Sequence, residues 1–257
     1  MTPGVEKGPS DTPLPGGPAG RSTPYPARRR PPAERPVPVG WDAMTGRLVA
    51  VNLGVVTEAE WAGDASGRSG IDKRPADGPV ALGVDGVAGD FIGERAHHGG
   101  PDQAVYAYAE EDAAWWVAEL GRELRPGAFG ENLTTYAVDV TGAVIGEQWL
   151  VGSALLQVTK PRTPCTTFAG FWGMPDLIKR FTARAAPGAY LRVLRAGEAG
   201  AGDPVEVVER PAHGVTIGEV FRATSLEPEL LPRLLDAPDL PESIRDKARR
   251  RLAGGAG

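Results

Sequence analysis

The chain has 257 residues, a net charge of -5 and a single cysteine, Cys165. One thiol excludes an internal disulfide framework and a multi-cysteine zinc site, and the mild acidity argues against a nucleic-acid binder. No run of about 18 apolar residues occurs and no signal-peptide core precedes Gly40, so the expectation is a cytoplasmic protein without membrane attachment.

Residues 1–45 read as a disordered leader. The first forty hold six Lys or Arg against three acids, and 11 of the 25 prolines, with almost nothing large and apolar. Such a segment cannot offset the entropy of ordering itself. Arg28–Arg30 read as a solvated charge run, and Met44 is a candidate alternative start.

From Arg47 the texture changes. Arg47–Val56, rich in β-branched residues, predicts a strand. Pro79–Val87 predicts a strand with a Gly-bearing turn, and Ala104–Tyr108 another strand. Glu110–Leu120 predicts a helix, with acids in its first turn and a stripe of Ala113, Trp116, Val117 and Leu120. Glu131–Val138, Gln148–Gly152 and Ala154–Lys160 predict strands, and Pro175–Ala183 a helix with proline at its first position. Ala189–Gly197 and Pro204–Arg210 are expected to pair with each other across a Gly/Ala turn. Beyond Pro211, Val215–Ala223, Pro228–Asp236 and Pro241–Leu252 predict three short helices. Leu230, Leu231, Leu234 and Leu235 form one apolar stripe there, and Ile244, Ala248 and Leu252 another.

Many short strands with only two inserted helices predict a mainly β fold of α+β type, an antiparallel barrel or sandwich over residues 46–212. A small three-helix unit over residues 213–257, too small to be stable alone, is expected to pack against it. Neither GxGxxG nor GxxxxGK[ST] is present.

Four Gly/Pro-rich segments read as site loops: Gly70–Val80, His97–Tyr106, Pro126–Leu133 and Lys160–Cys165. In KPRTPC, Pro161 and Pro164 stiffen the turn, while Lys160 and Arg162 favour a thiolate, which is both a soft metal ligand and a nucleophile. A lone cysteine also fits a buried small hydrophobe, Lys73 and Arg74 fit surface charges, and Glu131 and Asn132 fit turn residues. His97 and His98 are adjacent and would face opposite ways on a strand, against a two-histidine metal site. Trp115, Trp116 and Trp149 read as core or rim rather than a base-stacking platform.

These loops resemble the MOSC-domain family, named for the C-terminal domain of molybdenum-cofactor sulfurases. The resemblance lies in Lys73-Arg74-Pro75 with Gly78-Pro79-Val80, His97 to Tyr106, Pro126 to Leu133, Pro161 to Cys165, Gly188 to Leu194 and Gly202-Asp203. It runs from about Leu48 to about Leu252 and is similar to the small bacterial branch with a C-terminal three-helix extension. It implies a MOSC-type β-barrel followed by that extension. The cysteine would ligate molybdenum in a bound pterin cofactor or carry sulfur as a persulfide.

The resemblance further implies reduction of N-hydroxylated bases, with Cys165 on the metal and Arg162 and His98 beside the reacting atoms. Lys73, Arg74, His98, Asp102, Gly130, Glu131, Asn132, Arg162 and Arg192 are the implied cofactor-binding residues. An external electron donor protein is then required, because the chain has no flavin motif and no cysteine set for an iron–sulfur cluster. Two alternatives stay open. One is a molybdenum-free sulfur-transfer or carbon–sulfur bond-processing enzyme with a sulfur donor or acceptor protein and Cys165 as nucleophile. The other is a non-catalytic carrier of the cofactor. One departure from the family pattern is Gln103, where lysine is common.

Overall fold

In the computed structural model the described residues are 45–62, 67–93 and 99–254. The predicted leader lies outside them. Strands β1 (Thr45–Gly54), β7 (Val105–Ala109), β8 (Leu133–Tyr136), β9 (Gln148–Val151), β10 (Ala154–Pro161), β11 (Ala189–Arg195) and β13 (Pro204–Glu209) run round a closed circuit. The order is β13-β9-β10-β11-β7-β8-β1, and β1 pairs back to β13 to form a seven-stranded barrel. All pairings are antiparallel except β7 with β8. Closure leaves none of these strands as a bare edge.

Two smaller sheets flank the barrel: β5 (Val80–Gly83) between β6 (Gly86–Val87) and β12 (Gly197–Ala199), and the pair β2 (Thr57–Glu58) and β3 (Arg68–Ser69). Strand β1 changes partner along its length. Thr45–Arg47 pairs with β13, whereas Asn52–Gly54 pairs with β4 (Lys73–Pro75). The segment expected to be a loop at Lys73-Arg74-Pro75 is therefore a short strand added beside the barrel, and alternation turns Lys73 inward and Arg74 outward.

Three other expectations are corrected. Strands β11 and β13 do not pair with each other; β10 and β9 stand between them. An alternating pattern selects the buried face of a strand but not its neighbour. A helix missing from the sequence reading, α2 (Thr166–Trp172), follows Cys165, after α1 (Glu110–Leu120) and before α3 (Leu177–Arg184). Its TTFAGFW sequence is poor in helix formers, and burial of Phe168 and Trp172 in an aromatic cluster stabilises it instead. The α3 helix starts at Leu177, after Pro175.

The C-terminal helices are α4 (Ile217–Ser225), a 3-10 helix (Pro228–Asp236) and α5 (Glu242–Gly254). The middle one is 3-10 because Pro232 sits inside it and lacks a backbone N–H. Val220, Leu231, Leu234 and Ala248 join the same core as Trp149, Leu156 and Leu191 of the barrel, so the extension is packed onto it as expected. Leu235 is 39% exposed and leaves the predicted stripe. Among the described residues no helix is long and apolar enough to cross a membrane.

Candidate active site

A second, aromatic core lies to one side of the barrel. Tyr106, Tyr108, Trp116, Phe129, Phe168, Trp172 and Phe181 pack together from β7, α1, the GAFG turn, α2 and α3. Trp116 is the buried member of the α1 stripe, while Trp115 is 40% exposed and lies under the Arg184 guanidinium at 4.9 Å. Trp149 is buried in the barrel and donates to Glu147 at 2.7 Å. None of the three forms a stacking platform in the cavity described next.

Above the aromatic core opens a cavity of about 120 Å³. Three of the four predicted loops meet there, supplying Lys73, Gly130, Asn132, Arg162 and Cys165, and the fourth supplies Gln103 and Tyr106. Cys165 is half-buried, is a free thiol and caps the start of α2 without a side-chain hydrogen bond. Its prolines hold the turn between β10 and α2, so the sulfur is presented at the wall rather than packed inside it.

Lys73 and Asp90 form a buried ion pair at 2.5 Å. Burial pulls the Lys73 ammonium below its usual range, and Asp90 and then Glu131 offset part of that. Asp90 also accepts from the Gly54 amide at 2.6 Å and from Asn132 Nδ2 at 2.8 Å. Asn132 Oδ1 accepts from the Tyr106 amide at 3.2 Å, so its amide orientation is fixed from both ends. Glu131 is buried but does not line the cavity. It accepts from the Gly127 and Phe129 amides at 2.5 and 3.0 Å and from Thr134 Oγ1 at 2.7 Å, which folds the loop beneath Asn132. Burial pushes its carboxyl up, against those donors.

Gly127 is required in that loop. It has φ +84°, and a Cβ there would lie 2.2 Å from the Lys73 carbonyl oxygen. The loop carrying Asn132 and the strand carrying Lys73 thus approach as closely as backbones permit.

Arg162 is 6% exposed. Its guanidinium lies 4.1 Å from the Phe168 ring centroid and 5.4 Å from that of Tyr106. Burial works against its charge, yet the Tyr106 and Tyr190 hydroxyls and the Cys165 sulfur hold its pKa above the ordinary value. Burial pushes both phenols up in turn, and Arg162 opposes that shift. Tyr106 donates to the Pro187 carbonyl at 2.8 Å.

The other predicted residues fall outside the cavity wall. Arg74 is exposed and pairs with Asp72 at 2.8 Å. Arg192 pairs with Asp102 at 2.5 Å and donates to Gln157, on the flank of the barrel. Lys160 lies over the Tyr190 ring at 5.8 Å. His97 and His98 lie outside the described residues. Sequence reasoning missed Asp90, Tyr190, Arg68 and Ser69, all of which line the cavity, and placed Tyr106 only at the end of a predicted loop. Asp90 stands alone in GDFIG, and only its structural partners mark it. Ile71, Phe91 and Ile92 supply an apolar wall facing these polar groups.

Comparison with known proteins agrees with this architecture. A MOSC domain family model matches residues 94–206. The uncharacterized protein YflK of Bacillus subtilis is 33% identical over 170 residues, covering 66% of this chain and 76% of YflK. A protein named reductase from Gibberella moniliformis is 31% identical over 214 residues, which is 80% of this chain but only 37% of that protein. The crystal structure of YiiM from Geobacillus stearothermophilus superposes with a TM-score of 0.67 at 30% identity, covering 80% of this chain and 99% of that one. With its barrel, helical extension and cysteine-bearing cavity, the chain belongs to the MOSC-domain family.

Proposed function

We propose that the chain is an oxidoreductase that holds a molybdenum–pterin cofactor in the Cys165 cavity and reduces N-hydroxylated substrates. The observation that carries the reading is the convergence of a free thiol, the Arg162 guanidinium and the Asn132 amide on one open cavity. This donor set fits such a group: a soft thiolate for the metal, an arginine for anionic oxygen and an amide for a heterocycle edge. Among the described residues no three His, Cys, Asp or Glu side chains converge to hold a bare metal ion, so the remaining ligands would come from the pterin.

When bound, the cofactor supplies two-electron exchange. The chain's own residues supply the rest. Cys165 offers its sulfur, and Arg162, Asn132, Ser69 and Arg68 offer hydrogen bonds to the bound group. The Lys73–Asp90 pair fixes the Asn132 amide through the Asp90 carboxylate. Ile71, Phe91 and Ile92 exclude water on one side. The overall reaction turns R–NHOH, two electrons and two protons into R–NH2 and water, with the electrons delivered by a partner protein. The reading places the enzyme in the cytoplasm, where such a donor is available. A relative named reductase supports the reaction class.

The test is molybdenum and pterin content of protein made in a cofactor-producing host, for wild type and Cys165→Ser. Near-stoichiometric molybdenum that falls in the variant is the expected result. Pterin and molybdenum at full level without turnover of any N-hydroxylated base indicates a carrier. Neither group in the wild type overturns the reading in favour of sulfur transfer, visible as a persulfide mass on Cys165.

A further inference from the structure

Gln103 lines two cavities at once. It belongs to the Cys165 cavity and to a smaller one of about 40 Å³, so that with Ile92 it forms their shared wall among the described residues. The three-residue 3-10 turn that carries it, Pro101–Gln103, buries none of its own side chains. Two glycines precede the turn, and Gly100 adopts φ +96°. A segment with a glycine hinge and no apolar anchor keeps its place only through polar contacts.

Those contacts gather on Asp102. Thr159 Oγ1 donates to its carbonyl at 2.7 Å, and Arg192 donates to its carboxylate through Nε at 3.1 Å and Nη2 at 2.5 Å. Arg192 makes a further bond, from Nη1 to Gln157 Oε1 at 3.3 Å. Gln157 stands opposite Arg192 in the pairing of β10 with β11 and is buried. With its Oε1 taken, its Nε2 donates to the Gly146 carbonyl at 3.3 Å and to Asp239 Oδ1 at 3.4 Å. Asp239 belongs to the C-terminal extension, between the 3-10 helix and α5. It is seated so closely that a Cβ at Gly146 would lie 2.6 Å from its Oδ2. Polar contacts thus run unbroken from the extension to the residue beside Gln103.

At 30% and 37% side-chain exposure, the Arg192–Asp102 pair adds little to global stability. Its weight falls on a turn whose other described hydrogen bond to the barrel comes from Thr159. The planar guanidinium bonds Asp102 and Gln157 together, which the point charge of a lysine does not reproduce.

We propose that Arg192 is a positioning residue through which the C-terminal extension holds the Gln103 wall of the cavity. The inference is independent of the molybdenum reading, because it applies to whichever ligand fills the cavity.

Hydrogen exchange read by mass spectrometry on cofactor-free, full-length protein tests it. Arg192→Ala is expected to speed exchange in peptides spanning residues 99–104 at least about fivefold by local opening, with β8 and α5 unchanged. Asp239→Ala should speed the same peptides about two- to threefold, since it loosens the far end of the same chain of contacts. In an Arg192→Lys background, where the bond to Gln157 is cut, Asp239→Ala should add nothing. If Asp239→Ala loosens the extension itself, visible in α5, Gln157→Met cuts the same link from within the barrel and takes its place.

An Arg192→Ala protein with unchanged exchange over 99–104, or with equal acceleration throughout the barrel, overturns the proposal. So does the absence of any effect there from both Asp239→Ala and Gln157→Met, or an Asp239→Ala effect that persists undiminished beside Arg192→Lys. Absent molybdenum and pterin in the content assay would leave a positive exchange result standing. Full content with a flat exchange response would remove this inference alone.

Discussion

Replacing Lys73 by Met is the sharpest test of how the cavity is held together. Lys73 and Asp90 are both nearly inaccessible, with side-chain exposures of 8% and 6% and a separation of 2.5 Å. At an effective dielectric constant of about 20, attraction at that distance is about 7 kcal/mol. Burying the ammonium opposes this, as the lowered Lys73 pKa shows. The net worth of the pair is therefore far below its Coulomb energy, but the worth of one partner to the other is not. In Lys73→Met the Asp90 carboxylate stays buried with only the Gly54 amide and the Asn132 side chain as donors. Stranding one member of a buried pair costs about 3–5 kcal/mol. At about 2–4 °C per kcal/mol, Tm should fall by about 6–20 °C. Adding Asp90→Asn removes the stranded charge, so the double variant should recover part of the loss. Urea unfolding of the wild type, both single variants and the double variant gives the coupling energy directly. A Lys73→Met that loses less than about 1 kcal/mol, or a cycle that is simply additive, would refute the buried-pair argument.

Other expectations follow from the same geometry. Burial raises the Glu131 pKa above its ordinary 4.5, so its stabilising contribution is full below that value and is lost as pH rises through the folded value. Glu131→Gln should flatten this dependence in urea midpoints and cost about 1–3 kcal/mol near pH 7, where its amide N–H2 meets backbone donors. Gly127→Ala forces a Cβ onto the Lys73 carbonyl at positive φ and should cost at least about 1–3 kcal/mol, read as a drop in Tm. Because the thiol is only half-buried, Cys165→Ser should keep the wild-type circular dichroism and change stability by less than about 1 kcal/mol, while turnover is lost. Arg74→Ala removes an exposed pair with Asp72 and should change stability by less than about 1 kcal/mol and leave pterin content unchanged; a fall in content would place Arg74 in the site after all.

Much of this molecule is legible in the chain itself, for reasons that differ by element. Helix α1 is bounded as predicted because its acids, its apolar stripe and Gly121 in the left-handed region agree. The loops bearing Asn132, Arg162 and Cys165 are visible because Gly and Pro cluster there with polar side chains, and the structure brings them to one cavity. Asp90 is invisible beforehand: a single carboxylate between turn residues acquires meaning only when Lys73 and Asn132 arrive from elsewhere in the chain. Arg74 is the converse case. It shares its motif with Lys73, but one step along a strand reverses the side chain. The β11 and β13 assignment fails on neighbour choice rather than strand character, since long-range pairing leaves no local trace.

The partner switch along β1 has a consequence for how the protein is made. One end of that strand waits for β13, since Thr45 pairs with Glu206 near the far end of the barrel sequence. Its other end carries β4, and with it Lys73. Closing so long a loop is among the slowest steps available to a single domain. During synthesis on the ribosome, the strand that seals the barrel emerges after every segment that lines the cavity. Sealing of the barrel is thereby tied to the emergence of β13, and a nascent protein halted before it would present Cys165 on an unsealed scaffold.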